Sequence, residues 1–326
     1  MFKYNEKKNK IMQEFINNGL DERQAEIIAD CFVTTDLYGV TSHGSTMLSA
    51  YIKKINQGSY NLNPKFKIIR ETGAFAVIDG DNAIGPISAK FCLDFAINKC
   101  KKSGVYTVFS KNNNTFGPAF YYSLKAAEQG YIAFICSNSP AQMAPVGGKE
   151  KMLGTNPFAA VIPVPGADPI IIDMATSVVA KSKFKQYKEE GKKLPDGWAI
   201  DIEGNPTNDP DEGIQGMILP MAGFKGYGIA ILIDIISGVL SGAAYLNKVG
   251  RFYSENKLGM NVGFYLNIIN PEIVIGDIYQ EIIKDFVKRL RESKKVGEKK
   301  IILPGDDRLE IMYKKGYSFE DFTNKC

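Results

Sequence analysis

From Phe75 to Gly242 the chain alternates short β-rich runs with helical stretches, and this alternation restricts it to a layered α/β architecture. FAVID at 75–79 reads as a strand, Pro86 opens a helix carrying Ile87, Phe91 and Phe95 one turn apart, and VYTVFS at 105–110 returns as a strand. YIAFICS (131–137), PFAAVIP (157–163) and PIIID (169–173) are also β-rich, and Gly226 to Gly242 reads as a buried helix. Helices flank this region. Residues 6–38 form two, broken at Gly19, with Asp21 and Gln24 in a capping-box pattern and Ile27, Ile28, Cys31 and Phe32 at helical spacing. Ser49 to Gln57 continues as a third, and Ile273 to Lys295 is helical again. The expected division is therefore a helical domain from residues 1–70 plus 271–326 and an α/β domain from 71–270. Leu194 to Gly213, dense in turn residues and too long for a plain connector, is expected to be a covering loop.

Composition excludes several classes of function. The net charge of +4 is the small difference between 40 basic and 36 acidic residues, so no nucleic-acid footprint is expected. The densest basic stretch, Lys284 to Lys300, interleaves its charges with Phe286, Val287 and Leu290 at helical spacing and reads as a solvated helix face. Cys31, Cys92, Cys100, Cys136 and Cys326 form neither CxxC pairs nor a metal spacing with a histidine, so they read as reduced thiols and no metal site is expected. The first ten residues, MFKYNEKKNK, contain no apolar signal region. The most apolar run, Ile229 to Leu240, is interrupted by Asp234 and Gly238 and is too short for a bilayer. A soluble cytoplasmic protein without membrane partners is the expectation.

His43, in Ser42-His43-Gly44, is the only histidine of 326 residues. No other side chain has an unperturbed pKa near neutrality, and it sits on a connector, where functional groups are commonly held by rigid neighbours. A lone histidine is more often structural, so the case depends on what surrounds it. No G-x-G-x-x-G follows a strand and opens a helix, and Gly147-Gly148-Lys149 lacks the spacing of a phosphate-binding loop. Any bound nucleotide must use another architecture. Backbone donors are available at Asn156-Pro157, at the turn from Asp173 to Ser177, at Gly223-Phe224-Lys225-Gly226 and at Pro304-Gly305-Asp306.

Taken in order, SHG (42–44), SNSPAQMAPVGGKEKMLGTNPFA (137–159), IIDMATSVVAKSK (171–183), LPDGWAIDIEGNPTNDP (194–210), LPMAGFKGYGIAILIDIISGVLSGAAY (219–245) and ILPGD (302–306) resemble the malate/L-lactate dehydrogenase family of the non-Rossmann type. That family also holds L-sulfolactate, ureidoglycolate and diketogulonate oxidoreductases and ketimine reductases. The resemblance runs nearly end to end. It implies an L-sulfolactate dehydrogenase-like α/β fold, with a mixed-sheet cofactor domain packed on a helical domain made by both termini, and a homodimer using NAD or NADP. It also implies that a 2-oxo acid, or a related C=O or C=N substrate, is reduced with His43 as proton donor, and it places Ser42, Met47, Tyr51 and Thr115 beside the substrate. Cofactor contacts fall on Asn156, on Ile172, Asp173, Met174, Ala175, Thr176, Ser177 and Val178, on Phe224 and Lys225, and on Gly305, Asp306 and Asp307.

Two positions depart from the family pattern. Met47 stands where an arginine usually grips the substrate carboxylate, and Thr115 stands where a second histidine is usual. A changed substrate and a pocket more apolar than malate or lactate requires are expected; the competing reading is a dinucleotide-binding dimer without catalysis. Lys181 and Lys183 are candidates to favour a 2'-phosphate, and the choice between NADH and NADPH stays open.

Overall fold

A computed structural model describes residues 2–254 and 259–323. Cys326 lies outside the described residues, whereas Cys31, Cys92, Cys100 and Cys136 are buried free thiols. The chain opens with helices α1 (Tyr4–Asn17), α2 (Glu22–Leu37) and α3 (Leu48–Asn56). Asp21 caps α2 by accepting the Gln24 N–H at 2.8 Å, but the Gln24 amide donates to the Leu62 carbonyl at 2.9 Å, so only half of the expected capping box forms.

Strands β1 (Lys67–Glu71), β2 (Phe75–Asp79) and β3 (Val105–Asn113) follow, with α4 (Gly85–Ser103) between β2 and β3. Next come α5 (Ala119–Ala127), β4 (Ile132–Ser137), β5 (Phe158–Val164), β6 (Ala167–Met174) and α6 (Ser182–Glu189). A small unit contains β7 (Ala199–Ile200), β8 (Pro206–Thr207), α7 (Pro210–Gln215) and β9 (Met217–Ile218). The remainder is α8 (Phe224–Asp234), β10 (Val262–Ile269), α9 (Pro271–Ile275), α10 (Ile278–Arg291), α11 (Asp306–Lys314) and α12 (Glu320–Thr323).

The main sheet has seven strands in the order β1-β2-β3-β10-β4-β5-β6. Only β2 and β3, joined through α4, pair in parallel, so the sheet is mixed. Its central strand, β10, arrives late in the chain and inserts between β3 and β4. Phe264, Leu266 and Ile268 of β10 are wholly buried beside Phe32, Phe120 and Tyr122. Each such side chain stabilises the fold by about 1.5–3 kcal/mol relative to exposure.

Several expectations need correction. β1 begins at Lys67, inside the stretch assigned to the helical domain; all five of its residues are exposed, so no burial pattern marks it. The tail splits at Gly276: α10 lies along β5, with Tyr279 Oη donating to the Pro163 carbonyl at 2.8 Å, while Tyr317 reaches back to Tyr4 N at 3.1 Å. The covering loop of residues 194–213 carries regular structure, because Asp209 caps α7 with Pro210 at its first position. The single buried helix expected over 226–242 is α8 followed by one π turn, Ile235–Val239, and its outer side (Leu232, Val239, Leu240) is more than half exposed. A helix apolar all round does not say which side is covered. No helix among the described residues is long and apolar enough to cross a membrane.

A charged cluster ties α1, α2 and α5 together. Asp30 faces Lys125 at 3.3 Å and Lys8 at 3.5 Å and accepts hydrogen bonds from Tyr4 and Tyr121, both at 2.8 Å. Burial alone would raise its pKa, but the two lysines and two hydroxyls outweigh that and hold the carboxyl at about 2. Asp30 thus contributes stability that is fully present above its unfolded pKa of about 4 and is lost as pH falls towards 2. We expect Asp30→Ala to destabilise the chain by about 3 kcal/mol in urea unfolding at pH 7, because it removes the acceptor of the Tyr4 and Tyr121 hydroxyls and leaves Lys125 with Glu128 alone. The deficit should shrink between pH 4 and 2; a loss under 1 kcal/mol at pH 7 would refute this account.

Candidate active site

His43 lies in a 3₁₀ turn, Thr41–His43, followed by a second, Ser45–Met47, that leads into α3. The turn is held from beneath by Asp36, in the last turn of α2. Its carboxylate accepts the Ser45 N–H at 3.2 and 3.3 Å and pairs with Lys7 at 2.6 Å. A Cβ on residue 44 would stand 2.0 Å from Asp36 Oδ1, which is why glycine follows the histidine. Ser42 Oγ lies 2.9 Å from His43 Nδ1, and Nε2 makes no hydrogen bond among the described residues. The imidazole is crowded by protein with one side open to solvent. Crowding pushes its pKa below the ordinary value, and the nearby Asp173 carboxylate pulls the other way.

Asp173 comes from β6, on the α/β side of the molecule. It is bound by Arg308 of α11 at 2.8 Å, and the Arg308 guanidinium lies over the Phe120 ring at 4.9 Å. Burial raises the Asp173 pKa; Arg308 and His43 oppose the rise. Arg308 is a site residue that the sequence reading missed. Its signal was present, since it directly follows Asp306-Asp307 in the first turn of a helix.

The expected substrate-side residues converge, and an unanticipated segment joins them. Tyr51 is fully buried and donates to the Thr115 carbonyl at 3.1 Å. Its ring packs edge-on to Phe32, with centroids 5.1 Å apart, and tilted against Phe252 at 5.5 Å. The exposed Tyr253 hydroxyl reaches Met47 Sδ at 3.8 Å. Residues 250–254 therefore form a wall of the site, yet no periodicity or motif marks them.

The expected cofactor residues divide into two groups. Val178 and Phe224 line a cavity of about 690 Å³, together with Gly147, Gly148, Pro220 and Gly223. Ser177 bridges to Pro220 beside it, Lys225 is exposed on the first turn of α8, and Met174 is exposed at the end of β6. Ile172 and Ala175 are partly accessible, and Asp307 is exposed. By contrast, Asn156 and Thr176 are completely buried. The Asn156 amide binds Ser139 N at 3.0 Å and the Ala230 carbonyl at 2.9 Å, and Thr176 Oγ1 donates to the Thr155 carbonyl at 3.0 Å. These two position the chain rather than face a ligand. Asp306 is engaged by Arg291 at 2.6 Å, and Gly305 packs on Ile171, where a Cβ would approach to 2.6 Å.

The cavity suits a dinucleotide. Its volume falls in the ~300–1,000 Å³ range of ligand sites. The free N–H groups of the eleven-residue α8 open beside it, and the space where a Gly223 side chain would stand is clear to 4 Å.

Residues 2–316 match the family model described as malate/L-lactate dehydrogenase. The chain is 40% identical over 289 residues to a malate dehydrogenase of Pyrococcus horikoshii, covering 86% of this chain and 79% of that protein. It is 32% identical over 293 residues to the NAD(+) ureidoglycolate dehydrogenase of Escherichia coli K12, covering 89% and 83%. Among solved structures, sulfolactate dehydrogenase from Methanocaldococcus jannaschii superposes with a TM-score of 0.87 at 34% identity, covering 98% of both chains. With this coverage in sequence and fold, the chain belongs to the malate/L-lactate dehydrogenase family of oxidoreductases.

Proposed function

We propose that the protein is a homodimeric NAD(P)-dependent reductase of a 2-oxo acid, or a related C=O or C=N compound, with His43 as its acid and base. The observation that carries this reading is that the chain's one imidazole, on the turn before α3, stands within electrostatic reach of the Asp173 carboxylate at the end of β6. The NAD(+) specificity named for the ureidoglycolate relative supports the cofactor class. When bound, a nicotinamide dinucleotide supplies the hydride that goes to the substrate's C2.

In oxidation of the hydroxy acid, neutral His43 removes the hydroxyl proton through Nε2, and the resulting imidazolium is stabilised by the Asp173 carboxylate. In reduction the same nitrogen returns that proton to the carbonyl oxygen. Ser42 at Nδ1 fixes the ring's orientation, and Arg308 holds Asp173 in place. His43→Asn should lower turnover about a hundredfold or more while NADH affinity, read by fluorescence titration, stays nearly constant. A lowered His43 pKa extends the base form to lower pH. For wild type, kcat/KM of oxidation should therefore hold its plateau below pH 6.5, whereas reduction declines as pH rises through the same pKa. Near-normal turnover by the Asn variant would remove His43 from the chemistry. Cofactor binding without oxidation of NAD(P)H by any 2-oxo acid or cyclic imine would favour the non-catalytic reading.

Lys225, exposed on the first turn of α8, is placed to meet a phosphate of the dinucleotide. Lys225→Ala should weaken NAD(P)H binding roughly tenfold with a smaller effect on kcat, measured by titration and saturating kinetics. An unchanged dissociation constant would assign this lysine to the solvated surface.

The dimer reading rests on α10, where Ile278, Ile282 and Phe286 recur every fourth residue and stay half exposed (52%, 50% and 52%). Such a stripe on a helix is the pattern of a covered face. Sedimentation of the wild type should give twice the chain mass, and Ile282→Glu with Phe286→Lys should shift it towards monomer. A wild-type monomer would overturn the assignment.

A further inference from the structure

The cavity at the N-terminus of α8 is lined, among the described residues, by glycine and apolar side chains with two exceptions, Lys149 and Glu203. These two come from segments 54 positions apart and meet each other, with Lys149 Nζ 2.9 Å from Glu203 Oε2. Lys181 and Lys183, the sequence candidates for a 2'-phosphate, do not line the cavity. The one cation that faces the space is therefore already held by the one anion that faces it.

The backbone on both sides of this pair is fixed by contacts of its own. Glu203 lies in the turn between β7 and β8, where the Asp201 carboxylate accepts the Glu203 and Asn205 N–H groups, both at 2.9 Å. Gly204 of that turn has a φ of +91°, and a Cβ on it would stand 3.4 Å from Lys149 Cβ. Trp198, which leads into β7, stacks on Phe184 with centroids 6.4 Å apart, and its carbonyl accepts the Leu219 N–H at 3.0 Å. On the other wall the Gly148 N–H donates to the Pro145 carbonyl at 2.8 Å just before Lys149. Two ordered walls thus face each other across the cavity, and the bridge between them is a pair of long side chains that are 65% and 63% exposed. An ion pair this exposed is weakly held and screened by salt. The Lys149 ammonium has three donors, of which Glu203 takes one. The diphosphate and the 2'-phosphate of a nicotinamide dinucleotide each carry more negative charge than one carboxylate and offer several acceptor oxygens.

We propose that Lys149 binds a phosphate of the dinucleotide and that Glu203 is its resident competitor, which holds the ammonium until the cofactor displaces it and so sets cofactor affinity. This rests on reading the cavity as the cofactor's and is independent of the role of His43. Fluorescence titration with NADH and with NADPH tests it on the wild type, Lys149→Gln, Glu203→Gln and the double variant. Lys149→Gln should weaken binding roughly tenfold, the scale of one charge-assisted hydrogen bond, and reduce its salt dependence. Glu203→Gln should tighten binding roughly three- to tenfold, and that gain should vanish in the double variant, because it acts through Lys149. Equal effects on both nucleotides place Lys149 on the shared diphosphate; effects confined to NADPH place it on the 2'-phosphate. Three results overturn the proposal: unchanged dissociation constants for Lys149→Gln, a Glu203→Gln gain that persists without Lys149, or equal weakening by both single substitutions, which would make the pair a brace between the walls. Wild type that binds neither nucleotide would remove the cavity reading itself and the proposal with it. Binding that is insensitive to Lys149 removes the proposal alone. Because titration reads binding without turnover, a Lys149-dependent affinity in a protein that reduces nothing sustains the proposal while the catalytic reading falls.

Discussion

The carboxylate of Asp36 is the junction on which the position of the His43 imidazole depends. It receives Lys7 from α1 and the Ser45 N–H from the His43 turn, and its bulk leaves room for nothing larger than glycine at position 44. The backbone beside it is held too, because Lys315, from beyond α11, binds the carbonyls of Asp36 and Leu37. The Lys315 ammonium thereby supplies a donor to the Leu37 carbonyl at the end of α2 and adds to the Gly39 N–H already on that of Asp36. His43 thus sits on a short connector made rigid by both ends of the chain. A loop held in this way is suited to proton transfer, where small displacements are costly.

The opposite wall is built by different means. β6 ends at Met174 and delivers Asp173 to the cleft, where Arg308 binds it from α11 while standing over the Phe120 ring. An aspartate this enclosed would tend to take up a proton; a guanidinium on one side and an imidazole on the other counter that tendency. Enclosure acts on His43 in the opposite sense, favouring the neutral ring. In the mechanism proposed above, the pair starts as a neutral imidazole beside a carboxylate and becomes an ion pair once the ring has taken a proton, the electrostatic change that oxidation of a hydroxyl group requires. The cofactor side asks less of charged side chains, since the glycine turn at 223 and the first turn of α8 present backbone donors to open space.

Local patterns determined much of this protein before any contact was known. The alternation of runs after Phe75, Pro86 at the head of α4, the Asp21 cap and the single histidine on its Ser-His-Gly turn were all legible, because period, capping and turn chemistry act within a few residues. The segments shared with the family extended this to a mixed sheet. Tertiary structure decided the rest. The residues that pair with β10 lie more than a hundred positions earlier in the chain, so its insertion between β3 and β4 could not be read locally. Asn156 and Thr176 look like ligand residues in a motif but spend their hydrogen bonds inside, since a buried polar group must be satisfied by whatever the fold brings near. Arg308 against Asp173 and Phe252 against Tyr51 likewise depend on contacts between residues scores of positions apart. Such contacts are set by which faces the packed layers bury together, and that is information no single stretch of sequence carries.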